Sequence, residues 1–319
     1  MSFTNCYREI ENDMRYSIII PTFNAQYYIP ALLPLLQKVR EAGNEVIVVD
    51  SSSTDKTFEL LKNDVDNFHV IDQHDFEHGT TRNIGISLSS GSCLVFMTQD
   101  ALPCSLEDIV RLVEIIESDE NVGAAYGKQL PYSTTGAFGK HLRLFNYKDH
   151  SYKYTKEDIP KFGIKTAFLS NSFSVYKRVA LEGVGCFQSG LILGEDTYAA
   201  AKMILKGYSI AYSSEAKCYH SHDYTLVQEF KRYFDIGVFH TQAKSILSMF
   251  GGASGEGLRF VKSELRYLLI NRHFFLLPHF LLRNGMKFIG YKLGMRHKYI
   301  PTSISKLLSM HRTWWSRKT

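Results

Sequence analysis

Short apolar runs that alternate with amphipathic segments constrain the fold of this chain most strongly. Each run is rich in Val and Ile, which predicts a buried strand. The segments between them carry apolar residues three and four positions apart, which predicts helices. Strands alternating with helices favour a Rossmann-like, doubly wound and mostly parallel α/β sheet. The predicted strands are Tyr16–Pro21, Glu45–Asp50, Phe68–Asp72, Cys93–Thr98 and Gly123–Gly127.

Polar residues follow four of these runs, at the point where each strand ends. In parallel sheets the ligand binds beyond the carboxyl ends of the strands. Taken singly, each polar group suits a turn or a helix cap, because Asp, Asn and Ser favour both. Their coincidence at four strand ends predicts a binding site instead. The groups are Thr22–Asn24, Asp50–Ser52, Asp72 and Gln99–Asp100.

Basic residues are concentrated near the carboxyl terminus. The chain has 37 Lys and Arg against 32 Asp and Glu, a net charge of +5. From Glu256 onward thirteen basic and two acidic residues give +11, so the rest carries −6. Mixed with Leu, Phe and Tyr, this composition is typical of helices on an anionic membrane surface, with Trp314 and Trp315 at the headgroups. An ordinary helical subdomain or a dimer interface is the alternative.

Targeting signals and metal-site cysteine patterns are not evident. The first fifteen residues are polar and acidic, and no run of about 18 apolar residues occurs, so no spanning helix is expected. The five cysteines are scattered, which favours free thiols in a reducing compartment. We predict an N-terminal extension (1–14), a catalytic domain (15–240) and a helical, basic, membrane-associating region (241–319).

Several short motifs occur in the order found in one known family: Pro21–Asn24, Val49–Asp55, Thr98–Ala101 and Gly194–Asp196. As a set they resemble glycosyltransferase family 2, whose catalytic domain has the GT-A fold. The likeness is more specific in three places, which are similar to the rhamnosyltransferase branch that builds bacterial surface polysaccharides from dTDP-L-rhamnose. These are His78–Asn83, Thr98–Ala101, and Tyr219–Tyr224 followed by Lys231–Gly237.

The resemblance implies a donor site at the strand ends. Asp50 would accept the N3–H of a pyrimidine ring, and Phe23 would lie against its face. Arg82, at the start of a helix, would hold the diphosphate or the sugar, with an ion pair to Asp75 or Asp100 as the structural alternative. The complete set of predicted donor-binding residues is Thr22, Phe23, Asn24, Asp50, Ser52, Arg82, Gln99 and Asp100.

Asp100 matches the last residue of the family's DxD motif, which binds a divalent cation, Mg²⁺ or Mn²⁺, on the donor phosphates. Thr98 replaces the first Asp of that motif. One carboxylate makes a weak site, so a second ligand is expected from His220 or His222, which share one side of a strand. We take Asp100 and His222 as the metal ligands.

Glu195 and Asp196 match the family's catalytic ED motif. Inverting transfer needs one carboxylate to remove the acceptor hydroxyl proton, and the resemblance assigns this role to Asp196. Glu195 would contact the acceptor or hold the base. The alternative is a helix start that carries acids because the helix dipole favours them. Asn171 and Arg178 are candidates on the acceptor side, with structural packing an equal alternative.

The implied reaction is inverting transfer of L-rhamnose from dTDP-β-L-rhamnose to a hydroxyl of a lipid-linked saccharide, in O-antigen or other cell-surface polysaccharide synthesis. The enzyme would be cytoplasmic and peripheral on the inner face of the cell membrane, and a homodimer is left open. A UDP-hexose donor is the alternative within the class. A nucleic-acid- or membrane-binding protein without catalysis would leave Asp100, Glu195 and Asp196 without purpose, so no nucleic-acid partner is expected.

Two other enzyme classes fit less well. A nucleotidyltransferase should have a Gly-rich loop with Arg or Lys after the first strand, and Pro21–Ala25 has neither. A dehydrogenase should have GxGxxG at the same place, and this is also missing.

Overall fold

The computed structural model describes residues 16–251 and 255–317, so the predicted extension 1–14 lies outside the described residues. Its strands are β1 (Tyr16–Thr22), β2 (Glu45–Asp50), β3 (Asn67–Val70), β4 (Cys93–Met97), β5 (Leu102–Pro103), β6 (Val122–Leu130), β7 (Tyr152–Tyr154), β8 (Phe173–Lys177) and β9 (Ser209–Tyr219). The five predicted strands are therefore confirmed as β1, β2, β3, β4 and a longer β6.

The helices include the amphipathic segments predicted between the strands. They are α1 (Ile29–Glu41), α2 (Thr57–Leu61), α3 (His78–Ser87), α4 (Leu106–Ser118), α5 (Ala137–Asn146), α6 (Ile159–Phe162), α7 (Arg178–Gly183), α8 (Glu195–Leu205), α9 (Leu226–Gln242), α10 (Lys244–Leu247), α11 (Glu256–Ile270), α12 (Leu277–Gly294), α13 (Thr302–Leu308) and α14 (Arg312–Ser316).

The strands form one sheet in the order β3-β2-β1-β4-β8-β6-β9-β5, with β7 also paired to β9. The first four strands in this order are parallel to one another, as predicted. β8 is antiparallel to both β4 and β6, because the chain leaves β6 through α5 and β7 and re-enters the sheet from the other direction. The sheet is therefore mixed overall, and "mostly parallel" holds only for its first half.

Apolar side chains alternate between two covered faces of the sheet. On β1, Ile18 and Ile20 pack in the same core cluster as residues of α1 and α4. Ile19 points to the opposite face, which is covered by α3, α8 and α9. Gly85 of α3 lies so close that a Cβ there would be 2.3 Å from the Ile19 side chain. A sheet covered on both faces leaves its strand ends as the open edge for a site.

The helices near the carboxyl terminus pack back onto the rest of the described chain, chiefly through α12 against α9. Trp314 and Trp315 are 6% and 4% exposed, and Trp315 lies against Phe234. The predicted headgroup position for these two residues is therefore wrong: they complete the core. No helix within residues 16–251 and 255–317 has the length and apolarity needed to cross a bilayer.

Candidate active site

The polar residues predicted from the strand ends lie along one edge of the sheet. Thr22 ends β1 and Asp50 ends β2, and these two residues are register partners. Gln99 and Asp100 follow β4, and His220 and His222 follow β9. Because β8 runs in the opposite direction, its beginning lies near this edge and brings Asn171 to the site. Mixed strand direction thus adds residues that a purely parallel sheet would not supply.

Asp50 holds the loop after β2 in place. Its carboxylate accepts hydrogen bonds from the Thr22 hydroxyl at 2.7 Å, the Ser53 hydroxyl at 2.6 Å and the Ser53 amide at 2.7 Å. The side chain is only 3% exposed. These contacts make Asp50 a turn-forming residue, and its contact with a pyrimidine stays a prediction.

The loop after β1 is fixed by side chains from neighbouring strand ends. The Gln99 amide group pairs with the backbone of Phe23, accepting from its N–H at 2.8 Å and donating to its carbonyl at 3.1 Å. Asn24 and Ser52 both have positive φ, 47° and 56°, which is uncommon for residues other than glycine. The Asn24 side chain accepts the Thr54 amide at 2.9 Å and so ties the two loops together. Phe23 remains partly exposed at this edge.

Arg82 forms a buried ion pair with Glu195. Its Nη1 lies 3.0 Å from Glu195 Oε1 and donates to the His78 carbonyl, also at 3.0 Å. Both side chains are almost fully buried. The structural alternative for Arg82 was an ion pair with Asp75 or Asp100, and the observed partner is neither. The pair joins α3 to the first turn of α8, and direct contact of Arg82 with the donor stays a prediction.

Gly194 sets the start of α8 and therefore the position of both acids. Its φ of +79° lies in the left-handed region, which favours glycine. A Cβ at this position would lie 2.7 Å from the Phe239 ring of α9. No other residue would allow this approach, so Glu195 and Asp196 are held against α9.

The two acids have opposite electrostatic surroundings. Burial, and then the charge of Glu195, raise the pKa of Asp196 from 3.8 to about 7. Burial also opposes ionisation of Glu195, but the Arg82 and His78 charges outweigh it and lower its pKa. Asp196 accepts the amides of Thr197 at 2.6 Å and Asn171 at 3.3 Å. One carboxylate is thus a fixed anion, and the other can exchange a proton near neutral pH.

Asp100 lies between two histidines. Its two carboxylate oxygens are 3.5 Å from His220 Nε2 and 3.4 Å from His222 Nε2. One ligand atom from each residue can be chosen so that all three lie within 4.8 Å of one another. Burial lowers the pKa of both imidazoles, that of His222 to about 4, so both are neutral at pH 7 as metal ligation requires. This chemistry fits a divalent cation, with His220 joining the predicted pair.

Gln129 orients His220 from behind. Its Oε1 lies 2.9 Å from His220 Nδ1 and accepts a hydrogen bond from Arg143 Nη1 at 2.7 Å. An acceptor at Nδ1 places the proton there and leaves the Nε2 lone pair facing Asp100, the arrangement that metal-binding histidines commonly show.

Hydrogen bonds and the peptide link between Ser170 and Asn171 connect the Asp100, His220 and His222 cluster to the acids of α8. The Gln129 amide donates to the Ser170 hydroxyl at 3.1 Å. The next residue, Asn171, donates through its side chain to Glu195 at 3.2 Å. Arg178, the other acceptor-side candidate, instead bonds the Gly91 carbonyl and the Ser89 hydroxyl, so its role is structural packing.

Neither Gln129 nor Arg232 is predicted from the sequence as a site residue. Gln129 sits inside a strand, where nothing in the local pattern marks it. Arg232 stands over the Tyr224 ring, 5.5 Å from its centroid, and that ring stacks on His222. Arg232 lies in the Lys231–Gly237 motif, and that position could have marked it as a candidate site residue.

Comparison with known proteins identifies the family. The model for "Glycosyl transferase family 2" matches residues 17–185, more than half of the chain. This chain belongs to glycosyltransferase family 2. As a family 2 glycosyltransferase it is an enzyme, and the predicted α/β fold class with its helical C-terminal extension is confirmed.

Two curated relatives match this family 2 glycosyltransferase over almost its whole length. The O-antigen chain rhamnosyltransferase RfbN of Salmonella typhimurium is 42% identical over 306 residues, covering 95% of this chain and 96% of the relative. The O-antigen chain rhamnosyltransferase WbaN of Salmonella anatum is 42% identical over 311 residues, covering 94% and 96%.

Solved structures share the fold at low sequence identity. The mannosyltransferase PcManGT from Pyrobaculum calidifontis, in complex with GDP-Man and Mn²⁺, has a TM-score of 0.55 at 18% identity, covering 95% of this chain and 86% of that one. S. aureus TarS 1–349 in complex with UDP-GlcNAc has a TM-score of 0.53 at 18% identity, covering 90% and 92%.

Replacing Gln129 with Leu should weaken metal binding. Without the acceptor, the His220 proton is no longer held on Nδ1, and the Kd for Mn²⁺ should rise about 10- to 100-fold. Calorimetric titration of the purified protein with Mn²⁺ measures this. Gln129→Glu keeps the acceptor and should retain affinity, and Gln37→Leu, on the exposed face of α1, is the matched control. An unchanged Kd in Gln129→Leu would contradict the orienting role.

Proposed function

We propose that this family 2 glycosyltransferase transfers L-rhamnose from dTDP-β-L-rhamnose, with inversion, to a hydroxyl of a lipid-linked saccharide in O-antigen or related surface-polysaccharide synthesis. The observation that carries the proposal is the 42% identity to two O-antigen chain rhamnosyltransferases over nearly the full length of both partners. At the start of α8 the pKa of Glu195 is lowered and that of Asp196 is raised, which leaves one acid able to act as the base that inverting transfer requires.

Asp196 is the proposed base. The acceptor hydroxyl oxygen forms a bond to C1 of the sugar while the bond from C1 to the diphosphate breaks on the opposite face. The hydroxyl proton passes to Asp196, and nucleoside diphosphate leaves. A pKa near 7 suits this role, because about half of the carboxylate is ionised at pH 7 and it is still basic enough to take a proton.

Glu195 and Arg82 are the proposed support for this base. Their ion pair places a fixed negative charge beside Asp196, and that charge is the second cause of its raised pKa. Asn171 contacts both acids and so holds their relative position. Glu195 would therefore act mainly by holding and tuning Asp196.

The proposed cofactor is Mg²⁺ or Mn²⁺ held by Asp100, His220 and His222. When bound, such an ion neutralises charge on the departing diphosphate. The proposed donor site is formed by Thr22, Phe23, Asn24, Asp50, Ser52 and Gln99, which the interlocked loops after β1, β2 and β4 bring together. An Asp there selects a pyrimidine over a purine but does not separate thymine from uracil.

The proposed place of action is the cytoplasmic face of the membrane. Residues 15–240 would form the catalytic domain and residues 241–319 the membrane-associating region, whose net charge from Glu256 onward is +11. Anionic lipid attracts such a region. A lipid-linked acceptor would then be presented at the same surface.

A donor comparison tests the sugar assignment. Purified protein would be titrated with dTDP-L-rhamnose, UDP-glucose, UDP-galactose and UDP-N-acetylglucosamine in the presence of Mg²⁺ or Mn²⁺, and nucleoside diphosphate release would be followed with a lipid-linked acceptor. We expect dTDP-L-rhamnose to bind and turn over at least tenfold better than any UDP-sugar. Preference for a UDP-sugar would overturn the rhamnose assignment while leaving the family intact.

A further inference from the structure

Helix α12 has the opposite arrangement of charged and apolar side chains from an ordinary surface helix. Surface helices bury their apolar stripe and expose their charges. In α12 the buried side chains include Arg283 and Lys287, whereas the exposed stripe contains four large apolar residues. The residues of this exposed stripe are spaced so that they lie on one face of the helix. They are Pro278, Leu281, Leu282, Gly285, Phe288, Ile289 and Lys292.

The inner face of α12 is fixed by ion pairs. Arg283 pairs with Glu229 of α9, and Lys287 Nζ lies 3.9 Å from carboxylate oxygens of both Glu229 and Glu264. Breaking a buried pair leaves an uncompensated charge, which is strongly destabilising. The helix is therefore held with its apolar stripe facing outward.

Close backbone packing reinforces this orientation. A Cβ at Gly290 would lie 2.3 Å from the Phe230 carbonyl oxygen, and one at Gly294 would lie 1.9 Å from that of Phe234. Only glycine permits α12 to approach α9 so closely, so rotation about the helix axis would bring side chains into the α9 backbone. The exposure of the apolar stripe is therefore fixed by the packing of α12 against α9.

The stripe continues into the turn before α12 and is flanked by positive charge. Phe274 and Phe275 in that turn are 54% and 97% exposed. Arg272 precedes them, Lys292 ends the stripe, and exposed Arg296 and Lys298 follow it. The sequence contains no Asp or Glu after Glu264. An apolar strip with basic residues at both ends, in a segment of sequence without acids, complements an anionic apolar surface.

We propose that this strip, formed by Phe274, Phe275 and the outer stripe of α12, docks the enzyme on an anionic lipid bilayer. The helix lies in the plane of the membrane, with its Leu, Ile and Phe side chains among the upper acyl chains and its basic residues at the headgroups. The inference rests on the proposed function only in naming the surface on which a lipid-linked acceptor would be met. A second copy of the chain is disfavoured, because a symmetric contact through this face would bring like charges together.

Vesicle flotation tests the docking strip with the full chain. Wild-type protein should float with vesicles of phosphatidylglycerol and phosphatidylcholine, and much less with phosphatidylcholine alone. Leu281→Glu/Phe288→Glu should lower the bound fraction at least tenfold. Phe58→Glu/Val179→Glu, at exposed apolar positions outside the C-terminal helices, should leave it unchanged. Phe275→Ser, at a nearly fully exposed position, is a second variant that should fold normally and bind several-fold less.

Three outcomes would overturn the proposal that this strip docks on a membrane. The first is equal flotation of the strip and control variants. The second is failure of the wild type to float on either vesicle. The third is a wild-type dimer that Leu281→Glu/Phe288→Glu dissociates without any vesicle binding, which would assign the strip to a second copy. Donor binding by the same variants separates the two proposals, because a docking failure with intact dTDP-L-rhamnose binding leaves the proposed function standing.

Discussion

Asp196→Asn is expected to lower kcat by about 10²- to 10⁴-fold, the range that a positioned general base contributes. The amide keeps the size of the side chain but cannot take the acceptor proton. In the wild type, kcat/KM should rise with pH and level off above about 7, because burial and the Glu195 charge raise the pKa of Asp196 to about 7. Nucleoside diphosphate release measured between pH 5 and pH 9 checks both effects.

The pH dependence of the melting temperature of Asp196→Asn tests the raised pKa of Asp196 independently of activity. The folded-state pKa of Asp196 lies above its ordinary value of 3.8, so the wild type loses stability as pH rises from about 4 to about 7. Asp196→Asn has no such group, and its melting temperature relative to wild type should be higher at pH 8 than at pH 5. A folded Asp196→Asn variant with wild-type turnover would remove Asp196 from the reaction.

Asp100→Asn is expected to lower kcat/KM by about 10²- to 10³-fold, because charge neutralisation at a departing diphosphate is worth several kcal/mol. Asp100 is the one carboxylate in the cluster with His220 and His222. The variant should also bind Mn²⁺ at least tenfold more weakly in calorimetric titration. EDTA should reduce wild-type activity to a similar level and have little further effect on the variant.

Asp72→Asn is the matched control for Asp100. Asp72 also follows a strand on the same edge of the sheet, but its side chain caps a short helical turn by accepting the His74 amide at 2.7 Å. This variant should keep its metal affinity and turnover. Loss of activity in Asp100→Asn without loss of Mn²⁺ affinity would contradict a metal role and leave Asp100 as a direct donor contact.

The parts of the fold that the sequence predicts are those determined by local patterns. β1, β2 and β4 are continuous apolar runs, and α4 has a clean apolar face, so their periodicity suffices. The direction of β8 could not be predicted, because it depends on where the chain re-enters the sheet after α5 and β7. Composition alone placed Trp314 and Trp315 at a membrane, whereas their burial depends on the shape of the groove they fill.

The candidate site likewise contains residues that short motifs predict and contacts that only the fold creates. Asp100, Glu195 and Asp196 stand in short motifs, so the resemblance of those motifs to the family indicates them. Gln129 and His220 are 91 positions apart, and no local pattern links them. The partner of Arg82 was also missed, because Glu195 comes close only when α8 packs beside α3. Contacts between distant segments support the chemistry, and only the folded chain reveals them.

The anomeric configuration of the product tests the central claim most directly. Wild-type protein would be incubated with dTDP-β-L-rhamnose, a divalent cation and a lipid-linked saccharide acceptor, and the purified product analysed by mass spectrometry and NMR. We predict the gain of one rhamnose residue in α linkage, with equimolar release of dTDP, and product formation by Asp196→Asn that is slower by about 10²-fold or more. A β-linked rhamnose, or transfer of a different sugar under the same conditions, would contradict inverting rhamnosyl transfer by this site.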